Sequence, residues 1–221
     1  MRSIGRNGGT LGHREIHVHS VAYSGGVTAE SARDGRRARG DATRRTVARR
    51  AAAIATTHGL DSITVGSLAS AAGVSKSGIL TVFGTREAIQ VAAVAEARQI
   101  YRESVIAPVW AEEPGAPRLR ALMDSWVAYL RAGVFPGGCF IVASTAEYGR
   151  RSGAVADAVR RLKREWLDLL EGELRAAGAA DPADDAFRID AFLCAANTHR
   201  ELFGRDEPLD RARDLALEVI G

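Results

Sequence analysis

Cysteine and lysine each occur only twice in this chain of 221 residues. Cys139 and Cys194 stand far apart with no CxxC spacing, so neither a disulfide framework nor a cysteine zinc site is indicated. A reducing cytoplasm is the expected compartment. No apolar run is long enough to span a bilayer, and the first residues lack the apolar stretch of a secretion signal, so no membrane partner is expected. Nucleotide-binding loops, metal-ligand clusters and nucleophile–base spacings are missing as well, and the expectation for catalytic residues, metal and obligatory cofactor is none. His13, His17 and His19 lack further ligands at matching spacing in an ordered frame. No stretch alternates apolar and polar residues as a strand would, which leaves an all-α fold.

Charge is present but unevenly placed. Residues 1–50 carry eleven arginines against four acids, residues 51–100 balance three against three, and the remainder holds sixteen basic against twenty acidic residues. The basic end is the end suited to a polyanion. Residues 1–40 are rich in Gly, Ser and Arg without a sustained period, which predicts a disordered basic tail able to follow a nucleic-acid backbone through Arg36, Arg37, Arg39, Arg44 and Arg45.

The most informative stretch runs from Val65 to Ile89, VGSLASAAGVSKSGILTVFGTREAI. Leu68, Ala69 and Ala72 share one face of a short helix, Gly73 supplies the turn, and Val74 fills the gap to the next helix. Ser75 is placed to cap that helix, from Lys76 to Val82, which turns Ile79 and Phe83 inward and Lys76, Ser77, Gly78 and Thr81 outward. This is the residue order of a helix-turn-helix, with the second helix as the reading helix.

Residues from about Thr43 to Ile89 resemble the DNA-binding domain of the tetracycline-repressor (TetR) family of bacterial regulators. HGLDSITV, SLASAAGVSKSG and FGTREAI fall in that family's order and spacing. Downstream, a long helix after Arg86, the GVFPGGCF segment (Gly133 to Phe140) and closing amphipathic helices look like the family's C-terminal half. Two positions depart from the pattern. Leu80 and Val82 stand where a tyrosine and a histidine are usual, and aliphatic side chains cannot donate to phosphate. Ala55 stands where the first helix usually brings a phenylalanine.

The resemblance implies a three-helix DNA-binding domain (41–88) joined by a long helix to a larger C-terminal ligand-binding and dimerisation domain (89–221), with 1–40 as the tail. The helices are expected at 43–57, from Thr64, 76–82, 86–107, 118–132, 139–148, 154–177, 183–203 and 209–220, with Val47, Ala51, Ile54 and Ala55 as the buried stripe of the first. The candidate DNA contacts are Lys76, Ser77, Gly78 and Thr81 at the major groove, with Ser62, Thr64, Ser75, Arg86, Arg44 and Arg45 at phosphates. Aromatic residues concentrate in the C-terminal half. Trp126, Tyr129, Phe140, Tyr148 and Trp166, with Glu147, Asn197 and His199 as polar partners, are the candidate lining of a site for a small, mainly apolar or aromatic effector. Helices 154–177 and 183–203 are expected to form a homodimer that reads a palindromic double-stranded operator, chiefly as a repressor, and the protein would associate with the nucleoid when bound. The alternative is a dimeric ligand or redox sensor with weakened DNA binding, its thiol Cys139.

Overall fold

The computed structural model describes residues 29–221. Among the described residues there are nine α-helices and no strand. The first, α1 (Ala29–His58), begins well before residue 43. The segment 29–40 is therefore helical, which corrects the expectation of disorder there. Ala, Glu and Arg favour a helix and no proline interrupts this segment, and apolar periodicity cannot register such an extension. Arg44 and Arg45 consequently sit on a helix and not on a loose arm. Residues 1–28, including His13, His17 and His19, lie outside the described residues.

Val47, Ala48, Ala51, Ala52 and Ala55 are buried along α1, whereas Ile54 is only partly so. A single 3-10 turn, Leu60–Ser62, follows, with Leu60 and Ile63 fully buried beneath it. α2 (Val65–Ala72) starts on a reciprocal cap, in which the Thr64 hydroxyl accepts from Ser67 N and the Ser67 hydroxyl accepts from Thr64 N. It stops at Gly73, whose φ of 64° is left-handed and suits glycine. α3 (Lys76–Phe83) is capped by Ser75, and α4 (Arg86–Tyr101) by Thr85.

Past Tyr101 the chain leaves regular α geometry for a π-type turn, Arg102–Ile106, and a 3-10 turn, Ala107–Val109. The remaining helices are α5 (Ala116–Arg131), α6 (Phe140–Tyr148), α7 (Ala154–Ala176), α8 (Pro182–Phe203) and α9 (Glu207–Ile220). α4 packs on both α1 and α7, so it is shared between the N-terminal helices and the C-terminal bundle. α7 also anchors the α4–α5 connection: Glu173 accepts from Gly115 N at 2.7 Å and pairs with Arg118 at 2.8 Å, both largely out of solvent. The buried residues form one continuous core from Val47 to Ala216. Among the described residues no single helix is long and apolar enough to cross a membrane.

Candidate functional site

The outward surface of α3 consists of Lys76, Ser77, Leu80 and Thr81, all exposed, while Ile79 and Phe83 anchor the helix inside. Three hydroxyls hold this helix in shape. Ser75 Oγ accepts from Gly78 N at 3.0 Å and contacts Ser77 Oγ at 3.2 Å, and Thr81 Oγ1 donates to the Ser77 carbonyl at 2.8 Å. A cap of this kind contributes about 1 kcal/mol. Gly78 is close-packed, since a β-carbon there would lie 3.1 Å from Ser75 Oγ and 3.3 Å from Val74. The Lys76 side chain lies over Gly66 of α2, near the Thr64 cap, and among the described residues it makes no ion pair. Its ammonium therefore stands between the N-termini of two helices, where backbone amides favour an anion. Leu80, 48% exposed, sits in the centre of this surface. Sequence reasoning treated it only as the loss of a phosphate donor, whereas its exposure gives it an apolar face of the kind that meets a thymine methyl.

Most of the other expected phosphate contacts are engaged within the protein. Arg44 donates to the Val82 carbonyl at 2.8 Å and lies over the Phe83 ring, fastening α1 to the end of α3. Arg45 is exposed beside α4. Ser62 donates to the Gly59 carbonyl, and Thr64 is spent on its cap. Arg86 turns to the carbonyl of Asp61.

The strongest departure from expectation lies at α6. Glu147 was expected in a ligand cavity, yet its carboxylate accepts from Leu60 N at 2.7 Å and Asp61 N at 2.9 Å, capping the 3-10 turn of the N-terminal domain. The Tyr148 hydroxyl donates to Asp61 at 2.9 Å, and Arg151 pairs with the same carboxylate. Gln90 on α4 donates to the Leu60 carbonyl at 2.8 Å. Asp61 is held below the usual carboxylate range chiefly by its bond to Arg151, with Tyr148 and Arg86 acting in the same direction and partial burial opposing them. Burial and the neighbouring Asp61 push the Tyr148 hydroxyl up, keeping it a donor. The signal for this junction is the D61 turn and the E147–R151 run lying 86 to 90 residues apart, a separation no local pattern reveals.

At the other end of α6, Asn197 of α8 accepts from Cys139 N at 2.7 Å, both groups being buried. Asn197 thus braces the start of α6. Gly137 N donates to Thr56 Oγ1 at 3.1 Å, and a β-carbon at Gly137 would fall on the Thr56 carbonyl, 2.5 Å from its carbon. A β-carbon at Gly138 would overlap Asn197 and Glu201. The paired glycines of PGGC let one loop wedge between α1 and α8.

The aromatic candidates are packed core. Trp126 is 1% exposed; Tyr101 meets Tyr129 and Trp166 edge-on at 5.6 and 5.5 Å; Phe135 and Phe140 are 6.1 Å apart. Trp166 of the expected group borders a small, partly open cleft beside Tyr101 and Leu162, and at about 30 Å³ it holds little more than one water. The expected aromatic cage is therefore closed. Among the described residues the buried Tyr129 hydroxyl has no hydrogen-bond partner, and burial raises its pKa far above the ordinary value.

α7 spends its apolar stripe internally, with Val155, Val159, Leu162, Trp166, Leu170 and Leu174 all buried, and its outer face is charged. Of the large apolar residues left exposed among the described residues, three lie on α8, where Phe187, Leu202 and Phe203 are 69%, 70% and 57% exposed. His199 lies there too, edge-on to Phe203 and lining a groove of about 280 Å³ between α8 and α9. Cys139 is 2% exposed and its thiol is pushed up by burial, the opposite of what a reactive thiolate needs; Cys194 is raised to about 11 by burial and Asp190.

Residues 115–216 match the family model of the tetracyclin repressor-like C-terminal domain. Solved structures agree over nearly the whole fold. A TetR transcriptional regulator from Chloroflexus aurantiacus superposes with a TM-score of 0.75 at 22% identity, covering 82% of this chain and 96% of its own. A TetR-family regulator from Streptomyces coelicolor gives 0.71 at 20% identity, covering 80% and 94%. AibR, solved in complex with isovaleryl coenzyme A and operator DNA, gives 0.63 at 16% identity, covering 80% and 97%. Comparison with curated proteins found no match. Over residues 115–216 the chain is similar to the tetracyclin repressor-like C-terminal domain, and its fold is the one seen in TetR-family structures.

Proposed function

We propose that this protein is a homodimeric repressor that reads a palindromic operator through α3 and is released by a small effector acting through α6. The observation that carries the reading is the capping of Leu60 and Asp61 amides by Glu147, which makes the position of the N-terminal head depend on a helix of the ligand-binding half. Lys76, Ser77, Leu80 and Thr81 would meet the major groove. Thr64 and Ser75 would act by holding helix N-termini, with Ser62, Gly78, Arg45 and Lys76 beside the backbone. Arg44 and Arg86, tied to Val82 and Asp61, shape the head more than they contact phosphate.

The dimer face of this proposal centres on α8, one of the two helices expected there. Phe187, Leu202 and Phe203 are large apolar groups left in water by one protomer, and a second copy is the partner that a family of dimeric regulators supplies. Two rigidly spaced heads convert modest affinity into operator recognition. A mainly apolar effector would have to part the Tyr101, Tyr129 and Trp166 cluster, and a ligand that prefers the parted state shifts α6 only by that preference. That AibR was captured with both a ligand and operator DNA supports one fold serving both roles.

The test is a genomic-fragment pull-down with purified protein, followed by binding measurements on the enriched site. A compact palindrome is expected. Lys76→Ala should weaken operator binding about tenfold and lower the salt dependence by about one counterion. Retention of DNA without sequence preference, unaffected by Lys76→Ala, would overturn the reading and favour a ligand-binding dimer with a weakened head, the alternative that exposed Leu80 motivates.

A further inference from the structure

We propose that the groove between α6 and α7 is a binding site for an organic anion carrying an apolar body. Residues 101–221 hold more acids than bases, yet this concave surface of about 480 Å³ is lined by Arg150, Arg160, Arg161, Lys163 and Arg164 and by no carboxylate. Two of the five cations are matched from outside the groove, Arg160 by Asp157 at 2.7 Å and Lys163 by Asp190 at 2.5 Å. Arg150, Arg161 and Arg164 make no ion pair among the described residues. Like charges gathered without counter-charge repel one another, and an anion relieves that repulsion.

The floor decides what kind of anion. Val159, Leu167 and the Tyr148 ring form an apolar base between the cations. Such a base has nothing to offer a nucleic-acid backbone, whereas it buries an alkyl or aromatic body whose carboxylate, sulfonate or phosphate reaches the arginines. The volume lies within the ordinary range for small-molecule sites, about 300 to 1,000 Å³. Arg150 adopts a φ of 64°, the one positive value at a non-glycine among the described residues, where α6 ends and the groove begins. The site also adjoins the junction with the head. Tyr148 donates to Asp61, and Arg160 donates to the carbonyl of Arg151, the residue that pairs with Asp61. An occupant here is thus placed to act on the head without opening the aromatic core.

The inference goes beyond the proposed apolar effector and does not depend on DNA binding, so it is tested on the full chain without DNA. The probe is 1-anilinonaphthalene-8-sulfonate, an aromatic body with one sulfonate, followed by fluorescence and compared with uncharged N-phenyl-1-naphthylamine. Saturable binding of the anionic probe, displaced by decanoate, is expected. Arg161→Gln with Arg164→Gln should weaken it about tenfold while leaving the uncharged probe and the melting temperature unchanged. Arg161→Lys with Arg164→Lys should restore most of it. Equal affinity of the anionic probe for the wild type and the glutamine variant would overturn the site, as would an equal loss for both probes.

Discussion

The two ends of α6 meet the N-terminal head by different physics. At its start, Gly137 lies against the backbone of Thr56, and Asn197 holds Cys139 N in a buried hydrogen bond. At its end, Glu147, Tyr148 and Arg151 reach Leu60 and Asp61 through polar contacts, Asp61 and Arg151 being half-exposed. The first contact is a close fit, insensitive to salt and lost as a whole when spoiled. The second is a set of charge-assisted bonds that salt, pH or a nearby ligand can weaken step by step. One helix therefore carries a fixed bearing and an adjustable catch. In the proposed mechanism, a ligand need only disturb the catch for the head to swing about the bearing.

The largest expected effect breaks the bearing. Gly137→Ala places a β-carbon on the Thr56 carbonyl, which neither α1 nor the loop can vacate cheaply. The cost should be about 3 kcal/mol, the upper part of the usual range for overpacking, and appears as a lower denaturation midpoint that added salt does not restore. Asn197→Ala comes next. It leaves Cys139 N without its acceptor in a dry site and should cost about 2 kcal/mol, again without salt dependence. If either variant lost its defect at high salt, the distinction between the two ends would fail.

Which of these contacts could be read in the chain depends on how local they are. The caps at Thr64, Ser75 and Thr85, the turn at Gly73 and the apolar stripes of α4 and α7 follow from spacings of three and four residues, and the helix boundaries lie close to where those spacings place them. The start of α1 was hidden because its first turns rest on propensity and carry no apolar stripe. Glu147, Tyr148 and Asn197 looked like pocket groups because a polar residue among aromatics suggests ligand chemistry. Their true partners, Leu60, Asp61 and Cys139, lie 58 to 87 residues away in sequence. The expectation of a dimer through helices 154–177 and 183–203 rests on the resemblance and on the breadth of both stripes, and tertiary packing adds that α4, α5, α6 and α8 pack against α7.

The third prediction sharpens the contrast from the catch. Glu147→Gln keeps one oxygen acceptor but turns an NH₂ toward the second backbone amide, so one bond is lost and the other loses its charge. At a partly buried site this should cost about 1 kcal/mol in stability. Because the lost contribution is largely electrostatic, the gap to the wild type should narrow between low and high salt, unlike that of Gly137→Ala. On the identified operator, Glu147→Gln should weaken repression while leaving the fold intact. A variant equally destabilised at every salt concentration would mean that Glu147 acts through shape alone.

The smallest effect is the pH dependence of the same end. Asp61 has a folded pKa below its ordinary value of 3.8, chiefly through its bond to Arg151, with Tyr148 and Arg86 assisting, and Glu147 and Gln90 are the other polar groups close by. A depressed carboxylate pKa stabilises the fold fully above the unfolded value and loses that contribution as pH falls through the folded one. Asp61→Asn should therefore be less stable than the wild type by a constant margin from pH 7 down to about 5, the margin closing as the pH drops through 3.8 and below. The Asp61 side chain is about half exposed, so solvent screening keeps the margin smaller than those of the three preceding variants. The measurement is a pair of denaturation curves at each pH. A margin unchanged at pH 3 would show that Asp61 is not held by its charge, and the adjustable end of α6 would then rest on the neutral hydrogen bond from Tyr148 alone.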